Sequence, residues 1–259
     1  MVSIDKSKCI QCGLCADNCA VRALIADKEG YYRCGKLLCF RCAQCIAICP
    51  TGAVTMEDAE APLPYDSATF DIDPYTLLNT MRFRRSIRRF TGEKIDRSQL
   101  ETLLEAGRVA PTSSNSQTVR FTVLDGEFEK MRPKIWNSFG AMVYAGERKG
   151  LIRRYEAYKA NPDQPDTLFY GATQMIVVTS KVLIDGCLAL ANMELLAHTM
   201  GLGALYCGFA VGAIKNDPSL REYFGITDEQ QLCGCLVVGK TDLKFHRTAP
   251  RNPLQADWK

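Results

Sequence analysis

The stretch CIQCGLCADNCAVRAL, residues 9–24, recurs thirty positions later as CFRCAQCIAICPTGAV, residues 39–54. Each copy carries the spacing C-x2-C-x2-C-x3-C: Cys9, Cys12, Cys15 and Cys19, then Cys39, Cys42, Cys45 and Cys49, with Pro50 after the second run. Three cysteines this close can cap three corners of a 4Fe-4S cubane, while the fourth points away and reaches a second cluster. The spacing therefore predicts crossed ligation, with Cys9, Cys12, Cys15 and Cys49 on one cluster and Cys39, Cys42, Cys45 and Cys19 on the other. Tetrahedral zinc sites use paired C-x2-C units instead of four-cysteine runs. A copy of this size is too small to fold around apolar side chains, so a metal core would replace the missing hydrophobic one.

Nine of the thirteen cysteines lie in residues 1–49 and four in the rest of the 259-residue chain. Such density in a secreted chain would suggest disulfides. Here MVSIDKSKC lacks the apolar region of a signal peptide, and a reducing compartment favours metal ligation. Apolar stretches such as MIVV at 175–178 fall far short of the roughly 18 residues of a spanning helix. The expectation is a cytoplasmic protein with no membrane segment. With 47% hydrophobic and 24% charged residues, one or two ordinary domains with a real core are expected. The formal charge is +3, but residues 1–60 hold seven basic and seven acidic side chains, and each thiolate-bound cluster would add about −2. That balance does not suggest nucleic-acid binding.

Outward from the repeat, EDAEAPLPYDSATFDID at 57–73 is acidic and rich in proline and small residues, and reads as a linker. The expected division is a domain at 1–56, the linker, and a second domain at 74–259. Asp73-Pro74 suits a helix start, and Asp96 with Gln99 has capping-box spacing before Leu100, Leu103 and Leu104, in a helix running toward Pro111. RFTVL at 120–124, QMIVVT at 174–179 and LCGCLVV at 232–238 read as strands. DGCLALANMELLAHTMGLG at 185–203 reads as a buried or interface helix, capped by Asp185 and stopped near Gly201. Strands and helices alternate irregularly, which predicts an α+β fold.

Residues 82–90, RFRRSIRRF, place five arginines in nine positions. A charge run of this kind suits a solvated surface or a nucleic-acid patch as well as a phosphate site, where guanidinium forks and the Ser86 hydroxyl would bind oxygens. Neither histidine, His198 within the apolar helix nor His246 near the tail, stands in a nucleophile arrangement, and no P-loop or G-x-S-x-G elbow is present. Cys233 and Cys235 read as buried thiols, and Cys34 as a structural or free thiol outside the ligand set.

Residues 1–56 resemble the bacterial two-cluster ferredoxins, departing at Ala20 where that family usually has proline, with a slightly altered loop expected. RRSIRRF at 84–90, APTSSNSQTVRF at 110–121, the apolar helix with ALYCG, CLVVGK at 235–240 and PRNPL at 250–254 occur in the order found in the FMN-dependent nitroreductase family. The resemblance implies a nitroreductase-like mixed sheet with surrounding helices, beside a small ferredoxin-like domain carrying two 4Fe-4S clusters. It also implies an intertwined homodimer with FMN at the subunit interface. Arg84, Arg85 and Ser86 would contact the FMN phosphate and ribityl chain, and Arg88 the pyrimidine edge. Pro111, Thr112 and Ser113, with Asn115 and Gln117, match the segment approaching the flavin from the partner. Tyr206, Cys207 and Gly208 match the turn over the ring, and Arg251 the C-terminal phosphate arginine, with Arg247 a weaker match. Thr118-Val119 and the short tail after Pro253 depart from the family pattern. Residues 126–170, with the NPDQPD loop, match nothing in it and are expected to form a substrate lid.

The implied activity is reduction of a small electron-poor substrate, a nitroaromatic, quinone or activated alkene, with ferredoxin or NAD(P)H as electron donor and no acid or base side chain required. An electron-transfer module serving a larger redox partner, and a flavin-dependent dehalogenase or flavin-modifying enzyme, are the alternatives.

Overall fold

The computed structural model describes residues 2–35, 39–162 and 167–259. It divides into two compact units: residues up to 71 together with 112–116, and residues 72–111 together with 117–259.

In the first unit, β1 (Val2–Ile4), α1 (Leu14–Asp17) and β2 (Leu24–Ala26) are followed by β3 (Tyr32–Cys34), α2 (Gln44–Ala47) and β4 (Val54–Met56). β1 pairs antiparallel with β4, Ile4 opposite Val54, and β2 with β3, Leu24 opposite Cys34. Adding thirty to β1 gives β3 and adding thirty to β2 gives β4, so the repeat in sequence is also a repeat in register. Backbone conformation repeats too: Gln11 and Arg41 have φ of 54° and 53°, and Gly13 and Ala43 have 80° and 59°. The Ala20 departure leaves the turn in place, since Arg22 N–H reaches Cys19 O at 2.9 Å and Gly52 N–H reaches Cys49 O at 3.3 Å. Val2, Leu24 and Val54 form the buried apolar cluster, and cysteines complete its packing. Residues 57–73 are exposed throughout and include one helical turn, α3 (Ser67–Phe70).

The second unit is built on a four-stranded sheet in the order β5 (Arg120–Leu124), β6 (Gln174–Ser180), β8 (Gln231–Gly239), β7 (Gly203–Tyr206), each neighbour antiparallel. A parallel bridge from Ser86 to Ala204 makes the sheet mixed. Around it lie α4 (Pro74–Phe83), α5 (Arg97–Arg108), α6 (Phe128–Ala145), α7 (Lys149–Ala160), α8 (Leu183–Thr199), α9 (Gly208–Asn216) and α10 (Pro218–Tyr223). The sheet is covered on both faces. Ile176, Val178, Leu236 and Val238 pack with α5 and α8 residues, while the alternate residues Met175, Val177, Cys235 and Val237 pack with α6 and α9. All seven residues of β6 are buried, which is why its middle, Met175 to Val178, is apolar without alternation. Among the described residues, no helix is long and apolar enough to cross a membrane.

The three expected strands and the capping box at Asp96 and Gln99 are observed. Gly201, at φ 72°, ends α8, with Leu202 N–H returning to Ala197 O at 2.9 Å. Two expectations need correction. α8 starts at Leu183 with Val182 as N-cap, so Asp185 is a buried first-turn residue and not the cap. Residues 126–170 are not wholly a lid: Phe128, Ile135, Trp136 and Phe139 of α6 are fully buried in the larger core. Within the NPDQPD loop, residues 163–166 lie outside the described residues.

α6 and α7 pack closely, with Trp136 stacked on Tyr158 at 4.4 Å between ring centroids. Gly140 makes this possible, because a Cβ there would stand 2.3 Å from the Tyr155 ring. Gly140→Ala is expected to destabilise the second unit by about 1–3 kcal/mol through overpacking. Urea unfolding should show a lower midpoint at unchanged m, and an unchanged midpoint would mean the helices do not approach this way.

Candidate functional site

Two cavities in the first unit divide the eight repeat cysteines. One is lined by Cys9, Cys12, Cys15 and Cys49, the other by Cys19, Cys39, Cys42 and Cys45. Each set draws three cysteines from one run and the fourth from the other, as crossed ligation requires. Ala23 N–H and Ala53 N–H donate to Cys19 Sγ and Cys49 Sγ, each at 3.2 Å, and so orient the two exchanged sulfurs. Among the described residues, no three side chains converge tightly enough to hold a single metal ion. A cubane needs wider spacing, and an all-sulfur donor set is the soft one that Fe–S clusters take. Cys34 lines the second cavity as well. Burial, then a hydrogen bond with Cys39, pushes its thiol up to about 11.

In the second unit, the basic segment is held to the sheet edge by Ile87 N–H donating to Ala204 O at 2.9 Å, and to the turn before β6 by Phe90 N–H donating to Tyr170 O at 3.1 Å. Clefts open along it. The first, about 270 Å³, is lined by Arg84, Arg85, Glu194, His198 and Lys244 among others. The second, about 470 Å³, is lined by Arg88, Arg148, Tyr206, Cys207 and Gly208 with apolar neighbours. Ser86 lies on the bridge to Ala204. Gly208 opens α9, so its N–H has no intrahelical acceptor. A third cavity, about 290 Å³, shares Tyr206, Cys207 and Gly208 with the second cleft and is also lined by Cys187, Cys233 and Cys235.

Glu194 and Lys244 were not singled out by sequence reasoning. Glu194 is buried, and Arg84 Nη1 donates to its Oε1. An acid in the middle of a largely apolar helix was the signal, since a buried carboxylate requires a partner. His198 sits beside this pair, and burial, then the Arg84 charge, lowers its pKa. Burial, then the Glu194 charge, raises the Tyr206 hydroxyl above the ordinary phenol range. Burial pushes the Cys233 thiol up to about 11 and Cys235 well above the usual value, so both stay protonated.

The 110–117 segment behaves differently from the basic segment. Pro111 closes its part of the second unit, whereas Thr112, Ser113 and Asn115 group with the first, where Asn115 Nδ2 donates to Arg41 O at 3.0 Å. Ser114, Asn115 and Gln117 have φ of 51°, 54° and 47°, a concentration of left-handed non-glycine residues typical of functional loops. Arg247 and Arg251 lie in an exposed, extended tail and line none of the cavities described.

Comparison with known proteins bears on this arrangement. Two 4Fe-4S binding domain models match residues 1–24 and 36–52, and the nitroreductase family model matches residues 81–240. NADPH-flavin oxidoreductase of Vibrio harveyi is 28% identical over 169 residues, covering 64% of this chain and 65% of the relative. FMN reductase (NADPH) of Bacillus subtilis is 27% identical over 188 residues, covering 69% and 71%. The chain thus spans just under two thirds of the Vibrio protein's length. A nitroreductase of Bacteroides fragilis, solved with bound FMN, aligns with a TM-score of 0.57 at 23% identity, over 70% of this chain and 97% of that one. With a family match over more than half its length, a sheet and helix arrangement shared with solved nitroreductases, and 4Fe-4S binding motifs ahead of it, this chain belongs to the nitroreductase family.

Proposed function

We propose that the protein is an FMN-dependent reductase in which electrons from two 4Fe-4S clusters reach FMN and then a small electron-poor substrate, a nitroaromatic, quinone or activated alkene. The observation that supports this reading is the presence in one chain of two four-cysteine sets and a nitroreductase fold. When bound, the clusters would supply one-electron transfer and FMN would supply two-electron hydride chemistry. The residues fit these groups. Arg84, Arg85 and Lys244 line the first cleft as its cations for a phosphate, Arg88 lines the second cleft, and Gly208, whose N–H has no intrahelical acceptor, lines that cleft too. Pairing with Glu194 fixes the Arg84 guanidinium in the cleft and leaves Arg85 and Lys244 as its uncommitted cations.

A homodimer is part of the proposal. α4 buries none of its residues and exposes Tyr75, Leu77, Leu78 and Met81, while the start of α8 exposes Leu183, Ile184 and Leu188. A second copy would cover these faces, and its Thr112, Ser113, Asn115 and Gln117 would approach the flavin. The names of the relatives favour a second reading, in which NAD(P)H reduces the flavin directly and the clusters carry electrons outward.

Cys42→Ser separates the two readings, since it damages one cluster and leaves the second unit intact. Under the main reading, stopped-flow bleaching of FMN by reduced ferredoxin slows at least tenfold while bleaching by NAD(P)H is unchanged. Unchanged bleaching by both donors would exclude entry through the clusters.

Arg85→Ala should weaken FMN binding by about 1.5–3 kcal/mol, the loss of a hydrogen bond to a charged group. Fluorescence titration of the apoprotein measures it, and an unaltered Kd would remove Arg85 from the site.

His198 also gives the protein a pH dependence. Its folded pKa lies below its unfolded value of about 6.5, so on acidification the unfolded state takes up the proton first and stability falls as pH drops through that value. The apoprotein should therefore lose more stability between pH 7.5 and 5.5 than His198→Asn does, as read by urea midpoints. Parallel losses would show that the ring titrates freely.

A further inference from the structure

The two cysteine cavities are related by the thirty-residue repeat, and this relation exposes where they differ. Position 34 is the repeat equivalent of position 4, and the pairing Cys34 opposite Leu24 is the equivalent of Ile4 opposite Val54. Ile4 lines the cavity of Cys9, Cys12, Cys15 and Cys49; Cys34 lines the cavity of Cys19, Cys39, Cys42 and Cys45. One cavity thus has an apolar wall where the other has a thiol. A second difference runs the other way. Thr51 lines the first cavity with its hydroxyl 3.7 Å from Cys49 Sγ, and its repeat equivalent in the second cavity is Val21.

We infer that Cys34 is a positioning residue for the second cluster, its S–H donating to the Cys39 sulfur and raising that cluster's reduction potential, while Thr51 does the same for the first cluster through Cys49. The inference rests on the proposal that both clusters are bound.

Cys34 lines one cavity together with Cys19, Cys39 and Cys45, and of these Cys39 is the sulfur that acts most strongly on its thiol. The thiol donates to Gly35 O, 3.6 Å away. A ligating Cys39 is an anionic thiolate, and a charged acceptor outcompetes a neutral carbonyl at that distance. Hydrogen bonds to cluster sulfurs stabilise the reduced, more negative state and are among the factors that set the potential. Cys34 need not be a ligand, because four sulfurs already surround its cavity. Replacing it by valine, apolar like its repeat partner Ile4, removes the donor and keeps an apolar wall.

The experiment is an EPR-monitored redox titration of the intact protein with iron analysis. The wild type should hold about eight iron atoms per chain, from two clusters of four. A value of four or fewer would sink the two-cluster reading itself, separately from this inference. Cys34→Val should keep eight irons and lower one cluster's midpoint, by at least a threefold change in its reduction equilibrium, about 28 mV for a one-electron couple. Thr51→Val should lower the other cluster's midpoint. Cys34→Ser, which retains a donor, should recover most of the shift. Unmoved midpoints in Cys34→Val would overturn the inference, as would equal movement of both, which a purely structural role would give. Loss of four irons in Cys34→Val, with eight in the wild type, would overturn it by showing Cys34 to be a ligand.

Discussion

The second unit depends on the contact between the basic segment and β7. Ile87 gives its N–H to Ala204 O, and the Ile87 and Phe90 side chains are buried against the same edge. The fit leaves no room for a side chain at Gly203, where a Cβ would lie 2.9 Å from the Phe90 ring and 3.0 Å from Ile87 Cγ2. Gly239, directly opposite Gly203 on β8, would bring a Cβ within 3.0 Å of the same ring. Two glycines on neighbouring strands thus form the floor on which Phe90 sits. Five arginines in nine positions would otherwise repel one another in an unstructured run. Pinned through Ile87 and Phe90, they place Arg84 and Arg85 on one cleft and Arg88 on another, with the ordering entropy met by apolar burial and not by a ligand.

The same segment satisfies an otherwise costly feature of α8. That helix is apolar on almost every side, and Glu194 is buried within it. A carboxylate taken out of water without a partner would destabilise the fold by several kcal/mol, and Arg84 supplies the partner. Such a pair adds little net stability over an apolar replacement. Its value lies in register, since slipping the basic segment along β7 would leave Glu194 unpaired. The helix therefore positions the cleft, and the cleft's own cation permits the helix.

Much of this arrangement is legible in the sequence. β5, β6 and β8 carry β-branched runs bounded by turn residues, and Asp96 with Gln99 announces α5, because those signals are local. β7 was not legible: Gly201-Leu202-Gly203 reads as a helix stop, whereas Gly203 already begins a four-residue strand ordered by pairing with β8, a contact distant in sequence. α6 was missed although Phe128, Met131, Ile135, Phe139 and Val143 recur at helical spacing, since Pro133 and Gly140 interrupt the propensity and tertiary packing overrides them. At the site, residue types on the basic segment spoke for themselves. Glu194 is signalled only by its place within an apolar helix, and Lys244 needed the fold, because nothing local distinguishes a surface lysine from one turned into a cleft. The 112–117 loop shows the limit from the other side, its strained backbone at Ser114, Asn115 and Gln117 being invisible in residue type.

The first unit obeys a different constraint, since its apolar cluster is too small to determine a fold and backbone geometry around sulfur does so instead. The left-handed positions show how firmly. Ala43 keeps the conformation that Gly13 adopts at the equivalent place, and Arg22 keeps that of Gly52, although a Cβ is disfavoured there. The repeat has exchanged its glycines between copies without relaxing either turn, because each turn helps aim an N–H or a sulfur at the same point. Ala23 and Ala53 are buried in both copies and donate over the same 3.2 Å. Divergence has been permitted where a side chain meets a cavity wall without carrying the backbone, as at Ile4 and Cys34 or Val21 and Thr51. In a duplicated unit whose ligands and turns cannot vary, such wall positions are where two chemically identical centres can acquire different properties.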